Sequence, residues 1–385
     1  MKGKIDIIYR SRRAEGEKET ASEYMGLFGT EQAEQVRSFH RTFSEYEETP
    51  LIRLESLAGF YGIKDIYIKD ESKRFGLNAF KALGGSYCIG RYMEEHPAGG
   101  KQLTFVTATD GNHGRGIAWT ARKLGQKCVV YMPKGSAEER LENIKKLGAE
   151  AYITDMNYDD AVRHAKNMAE EKGWILVQDT AWEGYEEIPS HIMQGYMTMA
   201  AEAVEQLGEE TPTHVFLQAG VGAMSGAVTA FLRNFYGDKH RPEIIIVEPD
   251  KADCIFRTAK ADDGELRFVN GDMDTIMAGL ACGEPCTIGW DILDREADAF
   301  ISMPDYIAAG GMRRLANPLG TDEKIISGES GAATLGAVAF ILEDEELRKK
   351  FRIDEKSKIL CFSTEGDTDR ENYRRIVWDG AYPNL

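Results

Sequence analysis

The chain is expected to fold as an α/β protein built from two open, twisted parallel sheets, each flanked by helices. Three observations predict this. Its 385 residues exceed the length at which a single core usually stops growing. From about residue 101, short β-rich runs recur about every 25 residues, each followed by a loop and a helix-like stretch, the pattern of parallel strands with crossover helices. A second series of such runs begins near residue 213.

Residues 1 to about 47 are polar, with charge clusters at Arg10 to Glu19 and Glu45 to Glu48 and helical pieces near Glu31 to Phe43. They read as an N-terminal extension that packs and does no chemistry. The first ten residues lack an apolar core of signal-peptide length, and no window approaches the roughly 20 apolar residues of a membrane span, so a cytoplasmic protein is expected. Thr49-Pro50-Leu51 breaks the helical pattern, because proline disfavours helical backbone in the residue before it. A strand at Ile66 to Lys69 then leads through Asp70 to Lys81 into a helix starting near Ala82.

The first series comprises Leu103 to Val106, Cys128 to Met132, Ala151 to Thr154 and Ile175 to Gln178. After Met132, Ser136 and Glu139 have capping-box spacing and predict a helix start. The second series comprises Thr213 to Leu217, Glu243 to Val247, Ala299 to Ser302 and Lys358 to Phe362, with Ile66 to Lys69 expected to join its sheet. The Gly- and Asp-rich segment Lys251 to Pro285 is too long for a simple connection, and such segments are usually functional or mobile. These readings divide the chain into a large domain, residues 1–88 and 200–385, and a small one, residues 89–199, with a cleft between them.

Composition narrows the partners. A formal charge of −17 argues against nucleic acid or an anionic membrane, which are bound through clustered Lys and Arg, and favours a small soluble substrate. The six cysteines, Cys88, Cys128, Cys254, Cys282, Cys286 and Cys361, form no pair of zinc knuckles, and free thiols are expected, with a redox link among Cys254, Cys282 and Cys286 as the alternative. His40, His96, His164, His191, His214 and His240 lack metal-ligand spacing and read as structural or exposed.

Ligands of open parallel sheets bind outside the carboxyl ends of the strands, so the loops there carry the candidate site. Lys81 sits among Ala79, Phe80, Ala82 and Leu83, where partial burial is expected to lower its pKa and make it a nucleophile able to hold an aldehyde as a Schiff base. In Thr107 to Gly116, three glycines admit a flat ligand, Asn112 offers donor and acceptor, and Asp110 offers a base. Gln218 to Gly226 precedes a helix. Backbone N–H groups at such a start make a phosphate site, here Gly220, Val221, Gly222, Ala223, Met224 and Ser225, with the Ser225 hydroxyl adding a donor. Ser363 and Thr364 end a strand and can meet a pyridine nitrogen, or form an ordinary ST-turn.

A lysine for an aldehyde, a glycine loop for a phosphate, an asparagine for a ring oxygen and a hydroxyl for a ring nitrogen together match pyridoxal phosphate. The four loops in this order resemble the fold-type-II, tryptophan-synthase-β-like enzymes, whose cofactor lies in the cleft between two domains. Within that group, Lys69 to Lys81, Thr109 to Gly116, Tyr131 to Ser136, Gln178 to Tyr185 and Ser363 to Asp369 resemble the diaminopropionate ammonia-lyase family, the resemblance running from about residue 35 to residue 380. It implies α,β-elimination of ammonia from D- and L-2,3-diaminopropionate, giving pyruvate and two ammonia, by a homodimer in amino-acid degradation. Lys81 then matches the Schiff-base lysine, Asn112 the partner of the phenolic oxygen, Gly220 to Ser225 the phosphate loop, and Ser363 or Thr364 the partner of the pyridine nitrogen. Lys81 and Asp110 become bases on opposite faces of the substrate, and Asp179 a second acid facing it. No metal is implied.

The alternative of the same fold is a serine or threonine dehydratase. More distant is a nucleotide-dependent oxidoreductase, since Gly220, Gly222 and Gly226 loosely imitate a dinucleotide fingerprint and Glu248 ends the next strand where a ribose-binding acid would sit. A serine hydrolase using Gly328-Glu329-Ser330-Gly331 fails at Ala332, where the nucleophile elbow wants glycine.

Overall fold

The computed structural model describes residues 5–10, 21–97, 99–109, 111–238 and 240–383. Eleven strands are found among them: β1 (Asp6–Tyr9), β2 (Leu51–Arg53), β3 (Asp65–Asp70), β4 (Thr104–Ala108), β5 (Lys127–Met132), β6 (Glu150–Ile153), β7 (Ile175–Leu176), β8 (His214–Gln218), β9 (Glu243–Pro249), β10 (Ala299–Met303) and β11 (Lys358–Ser363). They form a seven-stranded sheet in the order β1-β10-β9-β8-β11-β3-β2 and a four-stranded sheet in the order β6-β5-β4-β7. Every strand of the smaller sheet runs parallel, as do the five central strands of the larger one. Central strands such as β8 and β10 are buried throughout, as expected of parallel sheets covered on both faces.

The expected β3 takes its place beside β11, with Ser363 opposite Asp70. That register puts the loop leading to Lys81 next to the loop that begins at Thr364. Two antiparallel edge strands, β1 and β2, were not foreseen. β1 falls inside the segment read as a packing extension, and its partner β10 lies nearly 300 residues away, so no local pattern marks the pairing. Most of the Arg10 to Glu19 cluster lies outside the described residues. The expected helix near Glu31 to Phe43 is present as Thr30–His40.

The capping box does not form. The helix starts at Glu138 after Ala137, with no side-chain cap, and the Ser136 hydroxyl donates to the Pro133 carbonyl at 2.8 Å. Local competition for the serine hydroxyl explains the miss. None of the six cysteines is joined in a disulfide.

Two helices press on the start of the helix Ala82–Glu95, and glycines permit the approach. A Cβ on Gly195, in the helix Glu187–Leu207, would lie 2.4 Å from the Leu83 carbonyl oxygen, and one on Gly116, in the helix Asn112–Lys123, 2.9 Å from the Ala82 Cα. His40 adds a third tie. Its Nε2–H donates to the Leu83 carbonyl at 2.9 Å while Nδ1 accepts from the Thr198 hydroxyl at 2.7 Å, and burial lowers its pKa to about 3, so the ring stays neutral.

The loop before Lys81 is held by a fully buried ionic network. Arg74 donates to both Glu71 oxygens (2.8 and 2.9 Å) and both Glu202 oxygens (2.9 and 2.6 Å), and Lys69 donates to Glu202, Gln206 and the Thr49 carbonyl. Held this way, the chain tolerates left-handed backbone at Phe75 and Asn78, with φ of 50° and 58°. Among the described residues no helix is long and apolar enough to cross a membrane.

Candidate active site

Both sheets turn the carboxyl ends of their strands toward one cleft, which encloses about 750 Å³ of space, solvent at its mouth included. Lys81 caps the helix Ala82–Glu95 and projects into it. The peptide just before is stitched to the opposite wall: the Phe80 N–H donates to the Thr364 carbonyl (3.0 Å), the Gly366 N–H to the Asn78 carbonyl (3.0 Å), and Ala79 bridges Glu365. Lys81 and Thr364 are therefore placed as one unit.

Lys81 Nζ is ion-paired with Asp179 Oδ2, and Asp179 follows β7 of the smaller sheet. This corrects the expected pKa of Lys81. Burial does oppose its charge, but the Asp179 carboxylate outweighs burial and the pKa lies above the ordinary lysine value. Against burial, His113, whose Nδ1 lies 3.8 Å from Oδ2, and then Lys81 draw the Asp179 carboxyl down to about 2. His113 Nε2–H donates to the Val177 carbonyl at 2.8 Å, which turns Nδ1 toward Asp179. Gln178 Nε2 reaches Asp179 Oδ1 at 3.3 Å.

The loop expected to hold a phosphate follows β8. Gly222 has φ of +90°, in the left-handed region that favours glycine, and the helix Ala223–Tyr236 starts there without a side-chain cap. Its first N–H groups and its dipole are thus free of any side-chain acceptor and suit a dianionic phosphate ester. Gly220 to Ser225 all line the cleft, and the Ser225 hydroxyl donates to the Gly222 carbonyl at 3.2 Å. Gly226 has another task. A Cβ there would lie 2.9 Å from the Gly289 Cα, so this glycine serves helix packing.

Of the two hydroxyls after β11, Thr364 lines the cleft and accepts from Gln218 Nε2 at 2.7 Å, whereas Ser363 is turned away and donates to Ser327 at 2.8 Å. Asn112 lines the cleft opposite, its Nδ2 donating to Glu365 Oε2 at 2.6 Å. Asp110 lies outside the described residues. The structure thus gathers Lys81, Asn112, Asp179, Gly220 to Ser225 and Thr364 around one space and leaves Ser363 behind the wall.

Several wall residues escaped sequence reasoning. Glu365 and Gln218 stood inside strings already singled out, and Cys282 in the long segment Lys251 to Pro285, so position carried a signal that residue type did not. Tyr158 and Tyr196 lie on helices with nothing local to mark them. Ser330 also lines the cleft, accepting from the Gly279 N–H at 3.2 Å. Glu248 is spent as a cap, its carboxylate accepting from the Ile255 and Phe256 N–H groups at 2.9 and 2.6 Å, which removes the ribose-binding acid of the oxidoreductase reading.

A lysine at the floor, an uncapped helix start on one side and the Thr364 hydroxyl on another fit a phosphorylated pyridine aldehyde. The family model described as pyridoxal-phosphate dependent enzyme matches residues 43–365, and the chain belongs to that family, within its diaminopropionate ammonia-lyase branch. It is 52% identical over 375 residues to diaminopropionate ammonia-lyase of Escherichia coli K12, covering 92% of this chain and 94% of that protein. The holo crystal structure of the Escherichia coli lyase superposes with a TM-score of 0.92 at 49% identity, covering 100% of this chain and 99% of the other. A crystal structure of the same lyase in complex with an aminoacrylate-PLP azomethine reaction intermediate gives a TM-score of 0.91 at 49% identity, covering 99% and 98%.

Proposed function

We propose that this protein catalyses α,β-elimination of ammonia from D- and L-2,3-diaminopropionate, giving pyruvate and two ammonia. The observation that carries the reading is the buried Asp179 carboxylate paired with Lys81 in a cleft whose other walls suit pyridoxal phosphate. That cofactor, when bound, supplies an aldehyde for amines and a conjugated ring that accepts electrons from the substrate's Cα–H bond.

The chain's own residues do the rest. Lys81 Nζ would hold the aldehyde, the amides of Gly220 to Ser225 the phosphate, Thr364 Oγ1 the pyridine nitrogen and Asn112 the phenolic oxygen. With Lys81 engaged by the aldehyde, its ammonium charge would no longer serve Asp179, whose carboxylate would then need another cation. The β-ammonium of diaminopropionate is one; the neutral hydroxyl of serine is not. Asp179 keeps the β-amine in its ammonium form, which leaves as neutral ammonia with the electron pair of the C–N bond. Freed from the aldehyde by the substrate's α-amine, Lys81 would take the Cα proton from one face and Asp110 from the other, which admits both enantiomers. The aminoacrylate set free takes up water outside the site and yields pyruvate and the second ammonia.

The proposal extends to a homodimer working in cytoplasmic amino-acid degradation, and to a chain divided into residues 1–88 with 200–385 and residues 89–199. The four strands of the smaller sheet, all between Thr104 and Leu176, support that division. The test is ammonia and pyruvate release from D- and L-diaminopropionate, with D- and L-serine and L-threonine alongside. Two ammonia per pyruvate, and faster turnover of diaminopropionate than of serine, is the expected result. A preference for serine or threonine would make the protein a dehydratase.

A further inference from the structure

Behind Asn112 stands a carboxylate that the reaction above does not use. Glu365 is 3% exposed, and its Oε2 accepts from Asn112 Nδ2 at 2.6 Å and from the Thr368 hydroxyl at 3.2 Å. Its place is tightly determined. The backbone bridges Ala79, its carbonyl accepts from the Gly328 N–H at 3.0 Å, and a Cβ on Gly328 would lie 3.2 Å from Glu365 Oε1. Oε1 itself is buried and has no hydrogen-bond partner among the described residues.

Its chemistry does act on Asn112. A carboxamide can present either its oxygen or its NH₂ to a neighbour, whereas an ionised carboxylate only accepts. A carboxylate at 2.6 Å therefore settles which end of the Asn112 amide faces Glu365: the NH₂. Nδ2 carries a second hydrogen, and among the described residues that amide makes no other hydrogen bond. The side chain borders the cleft, so the remaining N–H is a donor of fixed direction.

We propose that Glu365 is a positioning residue: by accepting one hydrogen of the Asn112 amide it aims the other at the phenolic oxygen of the bound cofactor. This rests on the reading of Asn112 given above. Because the Glu365 backbone also bridges Ala79 and follows Thr364, the same residue keeps the Asn112 donor in register with the Lys81 nitrogen and the Thr364 hydroxyl. Losing it frees the amide to flip and present its oxygen, which repels a phenolate.

The test compares holoenzyme carrying Asn112→Ala, Glu365→Ala, Glu365→Gln and the double change Asn112→Ala with Glu365→Ala. The readouts are the visible absorption band of the lysine-bound cofactor and kcat against KM. The expected result is that Glu365→Ala moves the band in the same direction as Asn112→Ala, with kcat about ten-fold down, the size of one lost charge-assisted hydrogen bond. The double variant moves it no further, and Glu365→Gln, whose carbonyl still accepts, restores it. A band moved by Asn112→Ala and left in place by Glu365→Ala, or shifts that simply add, would overturn the inference while leaving the reading of Asn112 intact. A band unmoved by Asn112→Ala would overturn that reading and the inference with it. Should Glu365→Ala fail to fold, Glu365→Asp, which withdraws the oxygen by one methylene, carries the same comparison.

Discussion

Lys69 and Lys81 lie twelve residues apart at the two ends of one stretch, both meet a carboxylate, and they have opposite fates. Lys69 is wholly buried and spends its ammonium on Glu202, Gln206 and the Thr49 carbonyl, at 2.7, 3.0 and 2.6 Å. Burial lowers its pKa. Lys81 has one strong partner, Asp179, across an open cleft, and its pKa is raised. The depressed pKa thus goes with the lysine whose N–H groups are all spent, and the raised one with Lys81, proposed above to hold the aldehyde. What separates them is spare bonding capacity: Lys69 has no N–H left to give, while the Lys81–Asp179 pair can be parted by a ligand that satisfies both members. Perturbed titration points toward functional sites only when geometry leaves the group something to do.

The contrast breaks most sharply on deleting each lysine. Lys81→Ala should lower turnover of diaminopropionate by roughly 10⁴ or more, as loss of a covalent catalyst does, while chemical denaturation still shows a cooperative unfolding transition. Lys69→Met should do the reverse. It strips Glu202 of one cation in a buried network, costing about 3–5 kcal/mol of stability by urea denaturation, with kcat per folded molecule close to that of the unmodified protein. A stable, inactive Lys69→Met protein would erase the distinction.

A smaller effect comes from a buried carboxyl, Glu329, on which burial and a neighbouring carboxylate outweigh the pull of Arg140. Burial first, and then the charge of Glu365, lifts the Glu329 carboxyl to about 7. The native state therefore holds a proton that the unfolded chain releases near the ordinary glutamate value, so stability falls as pH rises from about 4.5 to about 7. Glu329→Gln, which keeps an oxygen for the Asn372 amide, should remove that fall. It should gain on the order of 1–3 kcal/mol over the unmodified protein between pH 5 and pH 8, read by denaturation at each pH.

Much of this was legible before the fold. The β-rich runs, Lys81, the glycine loop after β8 and the string Ser363 to Asp369 announce themselves through local composition, since strand pattern and turn chemistry are short-range. What failed was long-range. The pKa of Lys81 depends on Asp179, 98 residues on, and no feature of the Lys81 stretch tells of that carboxylate. The choice between Ser363 and Thr364 depends on the Ser327 hydroxyl that draws Ser363 away. β1 pairs only because β10 leaves an edge open beside it. Glu365 lies within one of those strings, yet the role proposed for it depends on direct contact with Asn112, 253 residues distant in sequence.

The claim at the centre is that Asp179, released by Lys81, selects the substrate by its second cation. The most direct test is the ratio of kcat/KM for D-diaminopropionate to kcat/KM for D-serine, measured in the unmodified protein and in Asp179→Asn. Losing the charge that meets the β-ammonium should lower that ratio about ten-fold, the worth of one partly screened ion pair in discrimination. If both substrates instead lose the same factor and the ratio holds, Asp179 serves only to hold Lys81, and the choice of substrate is made elsewhere.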